Sequence, residues 1–210
     1  MPVRFQTFSF TDHQTITMHK PLKPAKPAKP AKPFSALMKY LLVITSVMEL
    51  AACTSASYPP LPVVSEVKLQ RYQGTWYQIA LIPNRFQSMC VSDTTAEYVP
   101  QGDSIRVINR CRKADRSMEE AIGVAEPVAG SNNAKLRVSF FRPFYGDYWI
   151  LDLDPGYQWV LVGEPSRKYG WILARTPTLN QETLQQLWKK AESLGYRRQD
   201  FQVSPQQSEK

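Results

Sequence analysis

Between residues 75 and 176, apolar side chains recur in short runs that clusters of Gly, Pro, Asn and Asp separate. In one run Ile105 and Val107 alternate with Arg106 and Ile108, a period of two that is typical of a strand with one buried face. Eight runs follow one another, with predicted bounds Thr75–Leu81, Val91–Val99, Ile105–Arg112, Glu120–Pro127, Lys135–Phe141, Tyr148–Leu153, Tyr157–Gly163 and Tyr169–Thr176. Short links between successive runs favour an all-β protein, an eight-stranded antiparallel up-and-down barrel.

The pattern changes to a helical period after Pro177. Apolar residues then recur three or four positions apart, at Leu184, Leu187, Trp188, Ala191 and Leu194. Asn180 is a suitable N-cap and Gly195 a suitable terminator, so we expect one C-terminal α-helix packed on the outside of the barrel. Phe201–Val203 is a candidate edge strand, and the segment from Val67 to Tyr72 is a candidate helical turn beneath the barrel.

Residues 1–37 have the composition of an unfolded extension. Ala-Lys-Pro repeats between Lys20 and Pro33, and proline at every third position favours extended polyproline II. Met38 followed by Lys39 is a plausible true start of translation, which would make residues 1–37 a mis-assigned extension.

Residues 38–52 have the features of a signal peptide. Lys39 precedes an apolar run from Tyr40 to Met48, which is too short to span a bilayer. Leu-Ala-Ala-Cys53 resembles a bacterial lipobox, although Glu49 departs from that pattern. The resemblance implies cleavage before Cys53 and acylation of that residue, with palmitate among the acyl chains, followed by a tether over 53–66. The alternative is an ordinary signal peptide cut near Ala52, with Cys53 left free.

Charge and histidine content exclude several classes of function. The net charge is +8, but seven of the 26 basic residues and only two of the 18 acidic residues lie in residues 1–52. The remaining chain is mildly basic and needs no nucleic-acid partner. Both histidines, His13 and His19, precede the signal peptide. A mature chain would therefore contain no Ser-His-Asp or Cys-His site and no His-ligated metal.

Two pairs of carboxylates are the remaining candidates for catalysis. Glu119 and Glu120 are adjacent and point to opposite faces of a strand, and Asp152 and Asp154 flank a turn. Neither pair has the geometry of an acid–base dyad, so we expect no enzyme, no catalytic residue and no cofactor or metal.

Several segments resemble the lipocalin family, and within it the bacterial outer-membrane lipoproteins and apolipoprotein D. They are Tyr72–Ala80, Asn84–Phe86, Thr95–Tyr98, Val138–Gly146 and Tyr169–Pro177. Gly74 and Trp76 match the first family motif and Arg175 the last, while Asp154 keeps only part of the middle one. The resemblance implies a lipocalin domain over 67–204, in which the arginine lies over the tryptophan and closes the bottom of a cup.

The same resemblance implies a lipid ligand inside the cup. Alternation from Trp76 turns Gln78, Tyr98, Val107, Phe140 and Tyr148 inward. With Phe144 and Arg142 at the mouth, these apolar and cationic groups suit a fatty acid or lysophospholipid. We expect an outer-membrane lipoprotein facing the periplasm, which stores or transports lipid for envelope maintenance. The alternatives are a structural or partner-binding envelope lipoprotein without a lipid ligand, or a lipocalin-fold enzyme on an apolar substrate. The sequence does not decide whether the protein is a monomer or a homodimer.

Cys90 and Cys111 remain if Cys53 is lipidated. Two thiols in an oxidising compartment are expected to pair, and their spacing does not fit a redox-active Cys-x-x-Cys motif. A regular hairpin would place Cys111 opposite about Thr94, so the predicted disulfide requires either a bulge near Cys90 or an adjustment in the loop before that strand.

Overall fold

Eight antiparallel strands close into a barrel in the computed structural model, which describes residues 58–207. They are β1 (Gly74–Leu81), β2 (Cys90–Gln101), β3 (Ser104–Lys113), β4 (Met118–Pro127), β5 (Lys135–Phe141), β6 (Phe144–Leu153), β7 (Trp159–Gly163) and β8 (Gly170–Ala174). Each strand pairs with its successor, and β8 and β2 both pair with β1. The prediction of an eight-stranded up-and-down barrel is confirmed. The predicted extension, signal peptide and Cys53 lie outside the described residues.

The predicted strand boundaries lie within two residues of the observed ones, except at the start of β6. Strand β6 begins at Phe144 rather than Tyr148, because Phe144 pairs with Phe141 and Gly146 with Val138. The proline and glycine in this segment had indicated a loop, but only Arg142 and Pro143 connect the strands. Strand β7 begins at Trp159, since Tyr157 has φ +62° and belongs to the preceding turn.

Helices cover the outside and the bottom of the barrel. A single turn, α1 (Leu69–Tyr72), precedes β1, and α2 (Gln181–Ser193) follows β8. The Asn180 side chain accepts a hydrogen bond from the Thr183 N–H at 2.7 Å and caps α2, as predicted. Short 3₁₀ helices cover Arg85–Gln87 and Arg198–Asp200. Within residues 58–207, the structure contains no helix with the length and apolar character needed to cross a membrane.

Two apolar cores share the barrel wall. The inner core fills the barrel around Trp76, Leu136, Ile150 and Val160, all of which are fully buried. The outer core lies between the wall and α2, where helix residues including Leu187 and Trp188 cover the outward face of β7 and β8. A strand whose two faces are both buried has a continuous apolar pattern, as Trp159–Val162 does.

The two ends of the barrel differ. We call the end that holds α1, Arg175 and the β2–β3, β4–β5 and β6–β7 connections the closed end. The open end carries the four other connections, over residues 82–89, 114–117, 142–143 and 164–169. The chain reaches the barrel at the open end, where Pro59 O accepts a hydrogen bond from Arg167, and descends to the closed end, where the Val67 N–H bonds Asn132 O.

The C-terminal segment completes the wall between β1 and β2. These strands pair directly only from Gly74 to Tyr77, opposite residues 95–98. Beyond that point β9 (Gln202–Val203) pairs with Ala80 and Leu81. The Gln206 side-chain amide then donates to Gln78 O at 2.8 Å and to Thr94 O at 2.9 Å, which bridges the gap.

Candidate functional site

Arg175 and Trp76 close the bottom of the barrel. The guanidinium carbon lies 4.0 Å from the centroid of the fully buried Trp76 ring, a cation–π geometry. The same guanidinium donates to three backbone carbonyl oxygens, those of Arg71, Gln73 and Thr75, each at 2.8 Å. Arg175 therefore satisfies the carbonyl groups of α1 and the start of β1 while it covers the indole.

Gly74 connects α1 to this arrangement. Its φ is +85°, a conformation that disfavours any side chain. Space does not add to this requirement, because a Cβ atom there would make an ordinary contact, 3.6 Å from an Arg175 guanidinium nitrogen. The Gly-x-Trp spacing thus follows from a left-handed residue that turns the chain from α1 into β1, with the indole inward two positions later.

A small cavity lies above this floor, inside the barrel. Its volume is about 50 Å³. Its lining mixes polar and apolar groups, among them Gln78, Thr94, Tyr98, Asn109, Tyr148, Trp171 and Leu173. A cavity of this size holds a few water molecules and not a long acyl chain.

Three tyrosine hydroxyl groups meet at the base of the cavity. The Tyr148 hydroxyl lies 2.7 Å from that of Tyr72 and 2.8 Å from that of Tyr98. Three O–H groups share two hydrogen bonds, so one hydroxyl proton has no partner within this cluster. The side-chain oxygen of Asn109 is buried and also has no partner in the described structure. The cavity thus offers both a donor and an acceptor to a neutral polar group.

Burial keeps these hydroxyls protonated. It raises the pKa of Tyr98 to about 12, against a weaker opposing effect of the hydrogen bond to Tyr148. Burial likewise raises the pKa values of Tyr72 and Tyr148 well above the usual range, with a further contribution from the neighbouring tyrosines. The floor of the cavity therefore favours uncharged groups.

Gln87 closes the mouth of the cavity. It lies in the 3₁₀ helix that Asn84 caps, and its amide donates to the Gln78 side chain at 3.0 Å. Its carbonyl oxygen accepts from the Trp171 indole N–H, also at 3.0 Å. The Gln78 amide in turn donates to Ser204, so the loop after β1, the strand β8 and the C-terminal segment are joined across the mouth.

Aromatic side chains surround the open end. Phe140 lies on the inner face of the barrel beside Gly123, and its ring packs so closely there that a Cβ atom on Gly123 would lie 2.8 Å from it. The Phe140 side chain is nevertheless 44% exposed. Phe141 and Phe144 are opposite each other at the end of the β5–β6 hairpin and stack at 6.3 Å. Sequence alternation identified the face of Phe140 but not its height along the barrel axis.

The predicted ligand-binding residues lie at three levels. Tyr98 and Tyr148 line the cavity, and Val107 belongs to the buried core around it. Phe140 and Phe144 lie at the mouth, above the cavity. The guanidinium of Arg142 lies outside the wall, 3.7 Å from the Glu126 carboxylate. Gln87 and Trp171 were missed, because polar side chains in a loop and a tryptophan in an apolar strand carry no pattern that indicates contact.

The predicted disulfide between Cys90 and Cys111 is present, with the two Cα atoms 5.5 Å apart. The pairing of β2 with β3 shifts twice between Cys90 and Thr95, and Asp93 within this bulge has φ +53°. The bulge brings the cysteines together, as expected.

The carboxylates at the candidate catalytic positions serve other interactions. Glu119 pairs with Lys113 at 3.3 Å and Glu120 with Arg110 at 2.8 Å. The Asp154 side chain accepts a hydrogen bond from the Gln158 N–H and shapes the turn before β7. Across residues 58–207, His, Cys, Asp and Glu side chains form no cluster that could hold a metal ion.

Comparisons with known proteins agree with this geometry. The family model described as a lipocalin-like domain matches residues 67–206. Temperature-induced lipocalin-1 of Arabidopsis thaliana is 39% identical over 156 residues, which cover 70% of this chain and 83% of that protein. Outer membrane lipoprotein Blc of Escherichia coli K12 is 38% identical over 155 residues, 72% of this chain and 87% of that protein. Apolipoprotein D of Macaca fascicularis is 34% identical over 145 residues, 64% and 72% of the two chains.

Solved structures show the same fold at lower identity. Insecticyanin from the tobacco hornworm Manduca sexta has a TM-score of 0.60 and 20% identity, over 72% of this chain and 87% of its own. Lobster apocrustacyanin A1 has a TM-score of 0.56 and 16% identity, over 71% and 93% of the two chains.

Proposed function

The chain belongs to the lipocalin family, and on this premise we propose that it is an outer-membrane lipoprotein that binds a fatty acid or lysophospholipid in its barrel. Members of this family are in general carriers of hydrophobic ligands. The observation that carries the proposal is the cavity of the closed barrel, which lies beneath a mouth formed by Gln87, Trp171 and the aromatic rim. The ligand would be stored or moved for maintenance of the envelope.

The polarity of the site divides such a ligand into two parts. The acyl chain would lie among Trp171, Leu173 and the rim phenylalanines, where each buried methylene group contributes about 0.8 kcal/mol before ordering costs. An anionic head group would stay at the rim, near Arg85 and Arg116, because the protonated tyrosine floor disfavours charge. A cavity of about 50 Å³ cannot accept the chain as it stands, so binding requires Gln87 and its loop to move.

The membrane anchor is part of the same proposal. We propose that residues 38–52 are a signal peptide and that Cys53 carries the acyl chains, which gives durable attachment to the outer membrane on its periplasmic side. Support comes from the lipobox-like Leu-Ala-Ala-Cys53 and from relatives that are named outer membrane lipoproteins. The intact mass of the chain extracted from membranes tests this: a mature chain that begins at an unmodified residue other than Cys53 contradicts it.

Native mass spectrometry of residues 54–210, titrated with lysophospholipid and with fatty acid, tests the ligand. We expect a one-to-one adduct and quenching of tryptophan fluorescence, because Trp171 lies at the mouth. The head groups can then be ranked by affinity. A folded, disulfide-bonded protein that forms no adduct with any of these lipids would contradict the proposal.

One observation favours a second candidate. The barrel is filled by its own side chains, among them three tyrosines that hydrogen-bond to one another, and the cavity above these tyrosines is small. A packed barrel of this kind suits a structural or partner-binding envelope lipoprotein. The absence of any lipid adduct in the same titration would make this the leading function.

A further inference from the structure

Exposed apolar side chains are concentrated at the open end. Among the eleven large apolar residues that are exposed in residues 58–207, six surround the mouth of the barrel. They are Phe86, Met89, Met118, Phe140, Phe141 and Phe144. Scattered apolar residues are normal on a protein surface, whereas a cluster at one end indicates an interaction site.

The β5–β6 hairpin projects the most exposed pair. Phe141 is 76% and Phe144 70% exposed, and their rings stack nearly parallel, with an interplanar angle of 7°. Only Arg142 and Pro143 connect them, so the hairpin ends in a narrow apolar tip flanked by a cation. Neither ring belongs to the barrel core, so packing of the described residues does not account for them.

Positive charge accompanies this apolar rim. The four open-end connections contain five basic residues, Arg85, Arg116, Arg142, Arg167 and Lys168, and two acidic residues, Asp115 and Glu164. Arg167 is buried on backbone carbonyl oxygens and Arg142 lies 3.7 Å from Glu126, so the positive charge that faces solvent at this end comes mainly from the exposed Arg85, Arg116 and Lys168. The Glu164 carboxylate is occupied by backbone N–H groups of its own loop, including those of Ser166 and Lys168 at 2.7 Å. Apolar tips between cations complement the surface of an anionic bilayer.

The described part of the chain begins at the same end. The Tyr58 ring lies 4.8 Å from the Arg167 guanidinium, and Arg167 also bonds Pro59 O, so the first described residues lie beside the open-end connection 164–169. Cys53 precedes Tyr58 by five positions, a reach of at most about 18 Å when fully extended. The ten residues of β3 span about 33 Å along the strand, so an anchor at Cys53 holds the barrel nearer its open end.

From the rim, its charge and the path of the chain, we propose that the open end of the barrel docks on the bilayer. Phe141 and Phe144 insert among the head groups, and the cations of the neighbouring loops contact anionic lipids. The mouth then faces the membrane, so a lipid passes between bilayer and barrel without crossing water. The anchor step rests on the proposed function; the rim and its charge do not.

Binding to vesicles tests the docking. Residues 54–210 are suitable because every described element lies within 58–207 and the compact barrel unit begins after Thr54. Vesicles of phosphatidylethanolamine with phosphatidylglycerol are sedimented with the wild type and with the double variant Phe141→Ser, Phe144→Ser. We expect the double variant to partition on the order of tenfold more weakly, because two apolar side chains no longer leave water.

Ile122→Ser is the matched control. Ile122 is 48% exposed, but it lies on the outer wall, opposite Ile108 and away from the rim. We expect this variant to bind vesicles like the wild type. Equal binding by the wild type and the double variant, or an equal loss in the control, overturns the proposal.

Hydrogen exchange on vesicles reports the orientation. Protection is expected in residues 84–89 and 140–145 and not in the closed-end hairpin around Gly102; the reverse pattern overturns the proposal. Lysophospholipid adducts of the same protein separate the two hypotheses. Docking without any adduct contradicts the proposed ligand but supports the docking. An adduct without docking supports the proposed ligand but contradicts the docking.

Discussion

At the scale of single residues, buried polar groups distinguish this barrel from a simple apolar cup. The hydroxyls of Tyr72, Tyr98 and Tyr148 form a chain in which one proton lacks a partner, and the Asn109 oxygen near them lacks a donor. A buried polar group without a partner is costly, typically about 1–3 kcal/mol. A water molecule or the polar end of a ligand in the cavity would recover this cost.

The raised tyrosine pKa values predict loss of stability at high pH. Below about pH 10 both the folded and the unfolded chain keep the Tyr98 proton; between about pH 10 and 12 only the folded chain keeps it. The free energy of unfolding should therefore fall with rising pH in this window, by about 1.4 kcal/mol per pH unit for Tyr98. Urea unfolding across this range measures the slope.

The variant Tyr98→Phe isolates this contribution. It removes the titrating hydroxyl, so its slope against pH should be shallower than that of the wild type by about the same amount. Tyr58→Phe is the control, because Tyr58 is 48% exposed outside the barrel. Identical slopes for wild type and Tyr98→Phe would show that Tyr98 does not retain its proton in the folded state.

At the scale of elements, periodicity predicted the regular strands and helices and missed strand ends whose residues follow no regular pattern. The strand β3 and the helix α2 were predicted within a few residues, since their buried positions recur with periods of two and 3.6. The start of β6 was wrong because Phe144–Asp147 contains a glycine and follows a proline, although its backbone pairs with β5. Neighbouring residues alone do not reveal such pairing.

The candidate site was predictable in the same limited sense. The inward face of Tyr98 and Tyr148 follows from alternation, and the closed-end Arg175 from the resemblance to a family. The Gln87 amide across the mouth and the Gln206 amide between β1 and β2 depend on tertiary contacts of polar loop residues. No local pattern encodes those contacts.

The C-terminal bridge yields a prediction for one element. Gln206→Ala removes both side-chain hydrogen bonds to Gln78 O and Thr94 O, at a cost of about 1–2 kcal/mol in the free energy of unfolding. Hydrogen exchange should accelerate in residues 78–81 and 92–94 and stay unchanged in β5. Gln207→Ala is the control, because Gln207 bonds Asp93 through its backbone N–H, which alanine keeps. Equal exchange in the two variants would show that the bridge does not hold the gap closed.

At the scale of the whole barrel, the two ends are held by different kinds of contact. The closed end is held by Arg175, through three backbone carbonyls and the Trp76 face. The open end is held by side-chain amides such as Gln87, under an exposed rim. Stability and ligand access should therefore respond to different variants.

Arg175→Ala should lower the free energy of unfolding by about 2–3 kcal/mol, because it leaves three carbonyl oxygens and an indole face uncovered. Arg198→Ala is the matched control: this guanidinium also lies 4.0 Å from a tryptophan ring, that of Trp188, but it bonds a single carbonyl oxygen, at 3.2 Å. The free energy of unfolding should fall clearly less in Arg198→Ala than in Arg175→Ala. An equal loss in both variants would mean that stacking alone, and not the carbonyl contacts, holds the closed end.

Gln87→Ala should have the opposite profile. Its hydrogen bonds to Gln78 and Trp171 are partly exposed, so we expect a loss of less than about 1 kcal/mol in the free energy of unfolding. The rate of lysophospholipid uptake, followed by stopped-flow tryptophan fluorescence, should rise severalfold, because under the proposed function a lipid enters the cavity only after this residue moves. Arg175→Ala should leave that rate within about twofold of the wild type at temperatures where the barrel stays folded. An unchanged uptake rate in Gln87→Ala would place the route of entry elsewhere than the open end, since the loop that closes the mouth would then not limit access.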